Sequence, residues 1–235
     1  MMQSKKRWLL VGVLCLALLP AAAQEARWES FMTGAVKAAR EANYAEAERL
    51  LLAALAEAQK LGPEDPRLGT TLTHLAEVYR AQGRYAEAEP LYQRALTILE
   101  KALGPEHPNL ATSLSNLAML YRAQGKYAEA EPLYQRALAI VEKVLGPEHP
   151  NVATSLNNLA LLYDAQGQYA EAESLYQRSL AIHEKALGPE HPDVATSLEN
   201  YATLLRKTKR EAEAEKLEGR AKAIRAKHGS KTFPD

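Results

Sequence analysis

Apolar residues recur along this chain at helical spacing. Between residues 109 and 123, Leu110, Leu114, Leu117, Ala118 and Tyr121 fall at i, i+4, i+7, i+8 and i+11, which is one face of a helix. Between 127 and 145, Ala130, Leu133, Tyr134, Ala137, Leu138 and Val141 make a second face of the same kind. Gln124, Gly125 and Lys126 lie between them and predict a tight turn. No segment shows the strict alternation of a strand. The pair of helices then returns. A Leu-Gly-Pro-Glu-x-Pro string begins at Leu61, Leu103, Leu145 and Leu187, 42 residues apart each time. A fixed period of this size marks a repeat array. The pattern predicts an all-α chain of helix-turn-helix units at about 28–60, 69–102, 111–144, 153–186 and 195–228, with a frayed tail at 229–235.

The residues between helices have mechanical reasons to be there. Gly104, Gly146 and Gly188 sit where a helix end must turn left-handed, and the proline after each cannot continue the helix. His107-Pro108, His149-Pro150 and His191-Pro192 then open the next helix. Proline suits the first helical position, and the residue before it is held extended, as an N-cap is. These histidines therefore read as caps. A metal ladder is excluded by reach: ligands must come within about 2–2.3 Å of one ion, and packed helices lie roughly 8–10 Å apart. The first unit is degenerate. It has Ala42 where the turn glycine would be, Trp28 and Phe31 on its first helix, and one residue fewer in its second. The last unit has Glu211 in place of a tyrosine and a second helix rich in Arg, Lys and Glu. A polar end unit is expected of a stacked array.

The first residues read as an address. Lys5, Lys6 and Arg7 precede an apolar run from Trp8 to Leu19, then Pro20 and three alanines. This is the layout of a secretory signal peptide of bacterial type, with cleavage expected after Ala23. The run is short for a bilayer span, which needs roughly 20 residues. Export to the periplasm or beyond is the expectation, with an uncleaved anchor as the alternative. The chain of 235 residues has 29 basic and 29 acidic side chains and a single cysteine, Cys15. Cleavage would leave a net charge of about −3 and no cysteine. That excludes a disulfide framework and a cysteine zinc site, and gives no support for nucleic-acid binding.

The unit that begins at Ala111 reads Leu114, Leu117-Ala118, Tyr121, Gly125, Tyr127, Ala130, Tyr134, Ala137. This resembles the tetratricopeptide repeat, and the 42-residue unit is similar to the kinesin light chain type. The resemblance covers nearly all of residues 26–228. It implies a solenoid of helix-turn-helix units forming a right-handed superhelix, whose first helices line a concave groove. It speaks strongly for fold and weakly for function, since a kinesin light chain is cytosolic and this chain carries an export signal.

Comparison of units within the chain locates candidate ligand contacts. Residues 111–150 and 153–192 agree at 32 of 40 positions. Three of the differences, Ser115/Asn157, Met119/Leu161 and Arg122/Asp164, form one helical stripe. Thr73, Glu77 and Arg80, and Glu199, Thr203 and Arg206, hold the same places in neighbouring units. The resemblance maps this stripe onto the groove; drift of exposed positions is the plainer account. A second row, His74, Asn116, Asn158 and Asn200, runs beside it. Each asparagine has one acceptor and two donors, so the row could hold the backbone of an extended peptide. The kinesin light chain family uses a similar ladder for cargo peptides. The row could equally bond helix to helix. Arg80, Arg122 and Arg206 could meet acidic groups of a ligand, with Asp164 implying mixed charge, or they could be solvated or paired locally. Tyr127, Tyr134, Tyr169 and Tyr176 read as core spacers.

The sequence contains no phosphate-binding glycine loop, no paired carboxylates at a plausible site and no Ser/His/Asp constellation tied to a turn. The expectation is therefore a non-enzymatic scaffold for a protein or extended peptide, without cofactor or metal, and no longer at a membrane after cleavage. The alternative is a self-association module of the cell envelope, with Trp28 and Phe31 offered to another copy.

Overall fold

The computed structural model describes residues 21–229. Most of the signal-like segment, with Cys15, and residues 230–235 lie outside the described residues. The expected cleavage point after Ala23 falls in the first turn of a helix. All regular structure among the described residues is helical: α1 (Ala21–Arg40), α2 (Tyr44–Leu61), α3 (Pro66–Ala81), α4 (Tyr85–Leu103), α5 (Pro108–Ala123), α6 (Tyr127–Leu145), α7 (Pro150–Ala165), α8 (Tyr169–Leu187), α9 (Pro192–Lys207) and α10 (Glu211–Gly229). They form two compact bodies divided between Gly104 and Pro105. The first holds α1–α4 and the second α5–α10.

Local chemistry fixes these boundaries. Proline opens α3, α5, α7 and α9, as the sequence predicts. His107, His149 and His191 are extended N-caps. Their Nδ1 atoms accept the backbone N–H of Asn109, Asn151 and Asp193 at 3.1, 3.1 and 3.2 Å, satisfying a donor that the helix itself cannot. Asp65 does the same for α3, accepting from the Arg67 N–H at 2.9 Å. The guanidinium of Arg67 also bonds Asp65 and holds its carboxyl below the ordinary range.

Glycine accounts for the turns. Gly104, Gly146 and Gly188 have φ of 89°, 87° and 87°, but ψ of 167°, 156° and 154°. The left turn is there, with an extended rather than helical ψ, a region essentially closed to other residues. Inside each hairpin, Gly83, Gly125 and Gly167 take φ of 75°, 74° and 79°. Ala42 holds that place in the first hairpin at φ 56°, and Lys209, which the sequence reading passed over, in the last at φ 62°.

The core of the first body packs Leu51, Leu68, Leu72, Tyr92 and Leu99 among alanines with almost no exposure. Burying each such leucine contributes about 1.5–3 kcal/mol, and the alanines let helices approach closely. Gly69 carries this further: a Cβ there would lie 2.6 Å from Leu99 Cγ. Trp28 and Phe31 are half-buried against this core, and Trp28 Nε1 donates to Thr71 Oγ1 at 2.8 Å. Neither is fully exposed, as a surface offered to a second copy would have them: both pack α1 onto its own body.

In the second body Tyr134 and Tyr176 are buried, and burial pushes the Tyr176 phenol up. Tyr127 is half-buried and Tyr169 is exposed, so only two of the four predicted spacers fill the core. Successive hairpins are bolted through carboxylates. Tyr163 Oη donates to Glu131 Oε1 at 3.1 Å. Tyr201 Oη and Arg210 Nη1 both donate to Glu173 Oε1 at 2.6 Å, which holds the Glu173 carboxyl low. Three basic residues of α10 also pair with carboxylates: Arg220 with Glu184, Arg225 with Glu199 and Lys227 with Glu190.

Candidate binding clefts

In the second body α5 touches α7, and α7 touches α9. The variable stripe lies along these seams. Asn200 Nδ2 donates to Asn157 Oδ1 at 3.3 Å, and Lys207 Nζ to Asp164 Oδ2 at 2.7 Å. Asn157 and Asp164 are buried there. A stripe residue of one helix thus meets the next helix, and Asn157, Asp164 and Asn200 bond helix to helix. Leu161 is half-buried against the Tyr176 and Tyr201 cluster.

On α9, the last first helix, the stripe is exposed, but its charges are paired within its own hairpin. Glu199 pairs with Arg225 at 3.0 Å. Arg206 pairs with Glu211 at 2.6 Å and with Glu218 at 2.7 Å. Thr203 Oγ1 donates to the Glu199 carbonyl. Arg206 is therefore occupied, and Asp164 is neutralised by Lys207. At these two places the charge of the row is satisfied within the chain. Arg122 differs: it is half-buried, and its Nε finds no hydrogen-bond partner.

The rest of the predicted set comes together in a cleft of about 360 Å³ between α5 and α7. Ser115, Asn116 and Met119 line one wall, Ser155 and Asn158 the other, and Val141 of α6 contributes an apolar patch. None of the lining residues carries a formal charge. Asn116 is mostly buried and already engaged. Asn158 is half-buried, and its side chain makes no hydrogen bond to another described residue. Amide and hydroxyl groups on both walls can pair with peptide N–H and C=O groups, and Met119 can adapt to apolar side chains.

The first body has its own cleft of about 230 Å³. Val36, Ala39 and Tyr44 form its apolar side, and His74, Glu77 and Arg80 its polar rim. His74 Nδ1 lies 3.0 Å from Glu77 Oε2. Thr73 is buried, its hydroxyl donating to the Gly69 carbonyl at 3.1 Å. The sequence reading missed Val36, Ala39 and Tyr44. Because the first unit has one residue fewer, Met32, Val36 and Ala39 take the stripe places at a spacing of 41 rather than 42, which alignment to the turn at Ala42 reveals.

Among the described residues no cluster of three or more His, Cys, Asp or Glu could hold a metal ion. No helix among them is long and apolar enough to cross a membrane.

Residues 34–101, 67–142, 112–185 and 164–227 match the family model of the tetratricopeptide repeat. No curated protein matches the chain. Among solved structures, the chain is similar to BtubC (BKLC) from P. vanneervenii, with 30% identity, a TM-score of 0.74, and 88% of this chain and 82% of that one covered. It is also similar to a Podosopora anserina structure of nearly identical kinesin light chain TPR-like repeats, with 31% identity, a TM-score of 0.70, and 92% and 100% covered. MamA from Desulfovibrio magneticus RS-1, at 14% identity, shares the fold alone, with a TM-score of 0.57 and 88% and 98% covered.

Proposed function

The chain belongs to the tetratricopeptide repeat family, and from that premise we propose that it is an exported, non-catalytic scaffold that holds an extended segment of a partner protein between α5 and α7. One observation carries this reading: the uncharged cleft of about 360 Å³ has Asn116 and Asn158 on opposite walls. An extended backbone brings unpaired N–H and C=O groups, and burying them is costly unless each finds a partner. Asparagine supplies both kinds of partner without reading a side chain. The likeness to kinesin light chain repeats supports the same reading. Export rests on the charged, apolar and small-residue order of residues 1–23. It places the partner in the cell envelope or outside it.

The test compares residues 24–235 with an Asn116→Ala, Asn158→Ala variant, both immobilised against envelope extract of the source cell. The reading requires a protein captured by the first and lost by the second at equal helicity and melting temperature. Asn200→Ala serves as a control, because Asn200 is spent on Asn157. Equal capture by all three proteins would remove the cleft from the account. Fusion of residues 1–23 to a reporter tests export, and a reporter retained in the cytoplasm would overturn that part.

A further inference from the structure

We propose that the last hairpin, α9 and α10, is a cap released by protonation of His183: at mildly acid pH it comes away from α7 and α8 while α5–α8 keep their fold. This goes beyond the peptide-binding reading and does not depend on it.

A terminal hairpin has a neighbour on one side only, so a single seam holds it. That seam differs from the preceding one, between α5–α6 and α7–α8. His183, Asp164 and Lys207 stand where the preceding seam has Val141, Arg122 and Ala165. Val141 packs there against the apolar cluster of Val152, Ala153 and Leu156. The last seam is polar at these places. His183 Nδ1 lies 2.9 Å from Ser197 Oγ, and Lys207 Nζ donates to Asp164. Tyr201 and Arg210 donate to Glu173, and Arg220 pairs with Glu184. The apolar part of the seam sets Tyr176 against Tyr201, with ring centroids 6.2 Å apart. Leu161, Leu175 and Leu180 lie half-buried beside it.

His183 is the group in this seam that a small change of pH can switch. It is 4% exposed, and its Nε2 is buried without a hydrogen-bond partner. Pro150 of α7 faces it, and Ser197, Asp193 and the cap His191 face it from the side of α9. No carboxylate lies within ion-pair distance of its ring among the described residues. The nearby Asp193 carboxylate is 3.6 Å from His191 Nδ1 and is shared with that ring. A charged imidazole held here is costly, because nothing at the seam replaces its hydration. Opening the hairpin returns the ring to water, at the expense of one seam and no more. Burial lowers the affinity of His183 for a proton, Asp193 opposing in part. The open form therefore takes up the proton first. The cap is fully closed above the ordinary histidine value of 6.5. Below it the open fraction rises by up to about tenfold per pH unit. Opening uncovers Leu161, Leu175, Tyr176 and Leu180 as a fresh apolar face.

The experiment is hydrogen–deuterium exchange of residues 24–235 at pH 8 and pH 5, resolved on peptides by mass spectrometry and scaled for the intrinsic exchange rate. Protection of residues 192–228 should fall about tenfold or more at pH 5, while residues 108–145 stay protected. His183→Val, the residue of the preceding unit, should keep 192–228 protected at pH 5. If that variant folds poorly, His183→Gln keeps a hydrogen-bonding group beside Ser197 without a charge to gain and should behave alike. Loss spread evenly over 108–228, loss that persists in a folded variant without the imidazole, or no loss at pH 5 would each overturn the proposal. No ligand enters the measurement, so its result stands apart from that of the cleft between α5 and α7.

Discussion

Lys207 Nζ donates to Asp164 Oδ2 at 2.7 Å across the seam between α7 and α9, over a carboxylate whose side chain is only 6% exposed. Asp164 is the residue that breaks the row of Arg80, Arg122 and Arg206, and Lys207 replaces the alanine found at that place in the three middle units. The two changes compensate each other. Lys207→Met should cost about 1–2 kcal/mol in urea unfolding, because it leaves a buried carboxylate without its cation. Asp164→Asn should cost less. The double variant should recover most of the loss, giving a coupling energy that independent sites lack.

His183 gives the second body a dependence on pH. It is buried on α8 where the preceding unit has Val141, and its Nδ1 is 2.9 Å from Ser197 Oγ on α9. Its Nε2 is buried without a hydrogen-bond partner, and Pro150, Asp193 and His191 complete its surroundings. Burial lowers its affinity for a proton, with Asp193 opposing in part. The unfolded chain therefore binds more protons than the folded one below the ordinary histidine value of 6.5. The contribution is complete above that pH and is lost as pH falls, at up to about 1.4 kcal/mol per pH unit. Urea midpoints between pH 8 and pH 5 should fall more steeply for the parent chain than for His183→Val. Parallel curves would contradict this.

The hairpin turns contain two strained places. Ala42 and Lys209 occupy the left-handed positions that glycine fills in the other hairpins, at a cost of roughly 1–2 kcal/mol for a side-chain-bearing residue. Part of that is offset by the greater freedom of glycine in the unfolded chain. Ala42→Gly and Lys209→Gly should each stabilise by about 0.5–1 kcal/mol, read as higher melting temperatures. Gly125→Ala should do the reverse.

Trp28 tests whether the degenerate first unit faces inward. Trp28→Phe removes the donor to Thr71 and should cost about 1 kcal/mol without changing the mass measured by light scattering. A change of mass with unchanged stability would instead favour a surface offered to a second copy.

The repeat made much of this legible. The helix boundaries followed from proline, glycine and apolar spacing, because each is a local rule met again every 42 residues. The histidine caps followed from their place before a helix-opening proline, with reach excluding a metal ladder. The stripe was harder. Asn157 and Asp164 vary between units as a ligand-reading residue would, but each bonds the next helix, through Asn200 and Lys207, and Lys207 has no counterpart in the middle units. A sequence shows that two positions differ; only the seam shows that they face each other. Val36 and Ala39 escaped notice because one residue fewer in the first unit moves the register. Trp28 and Phe31 looked available because nothing local announces that α1 lays them on α3.

The most direct test of the central claim is photo-crosslinking in the source cell, with benzoylphenylalanine placed at Ser115 on the α5 wall or at Ala139 on the exposed side of α6. The account predicts one protein adduct from position 115, lost when Asn116→Ala and Asn158→Ala are added, and none from position 139. Equal adducts from both positions, or an adduct at 115 that survives the loss of both asparagines, would contradict it.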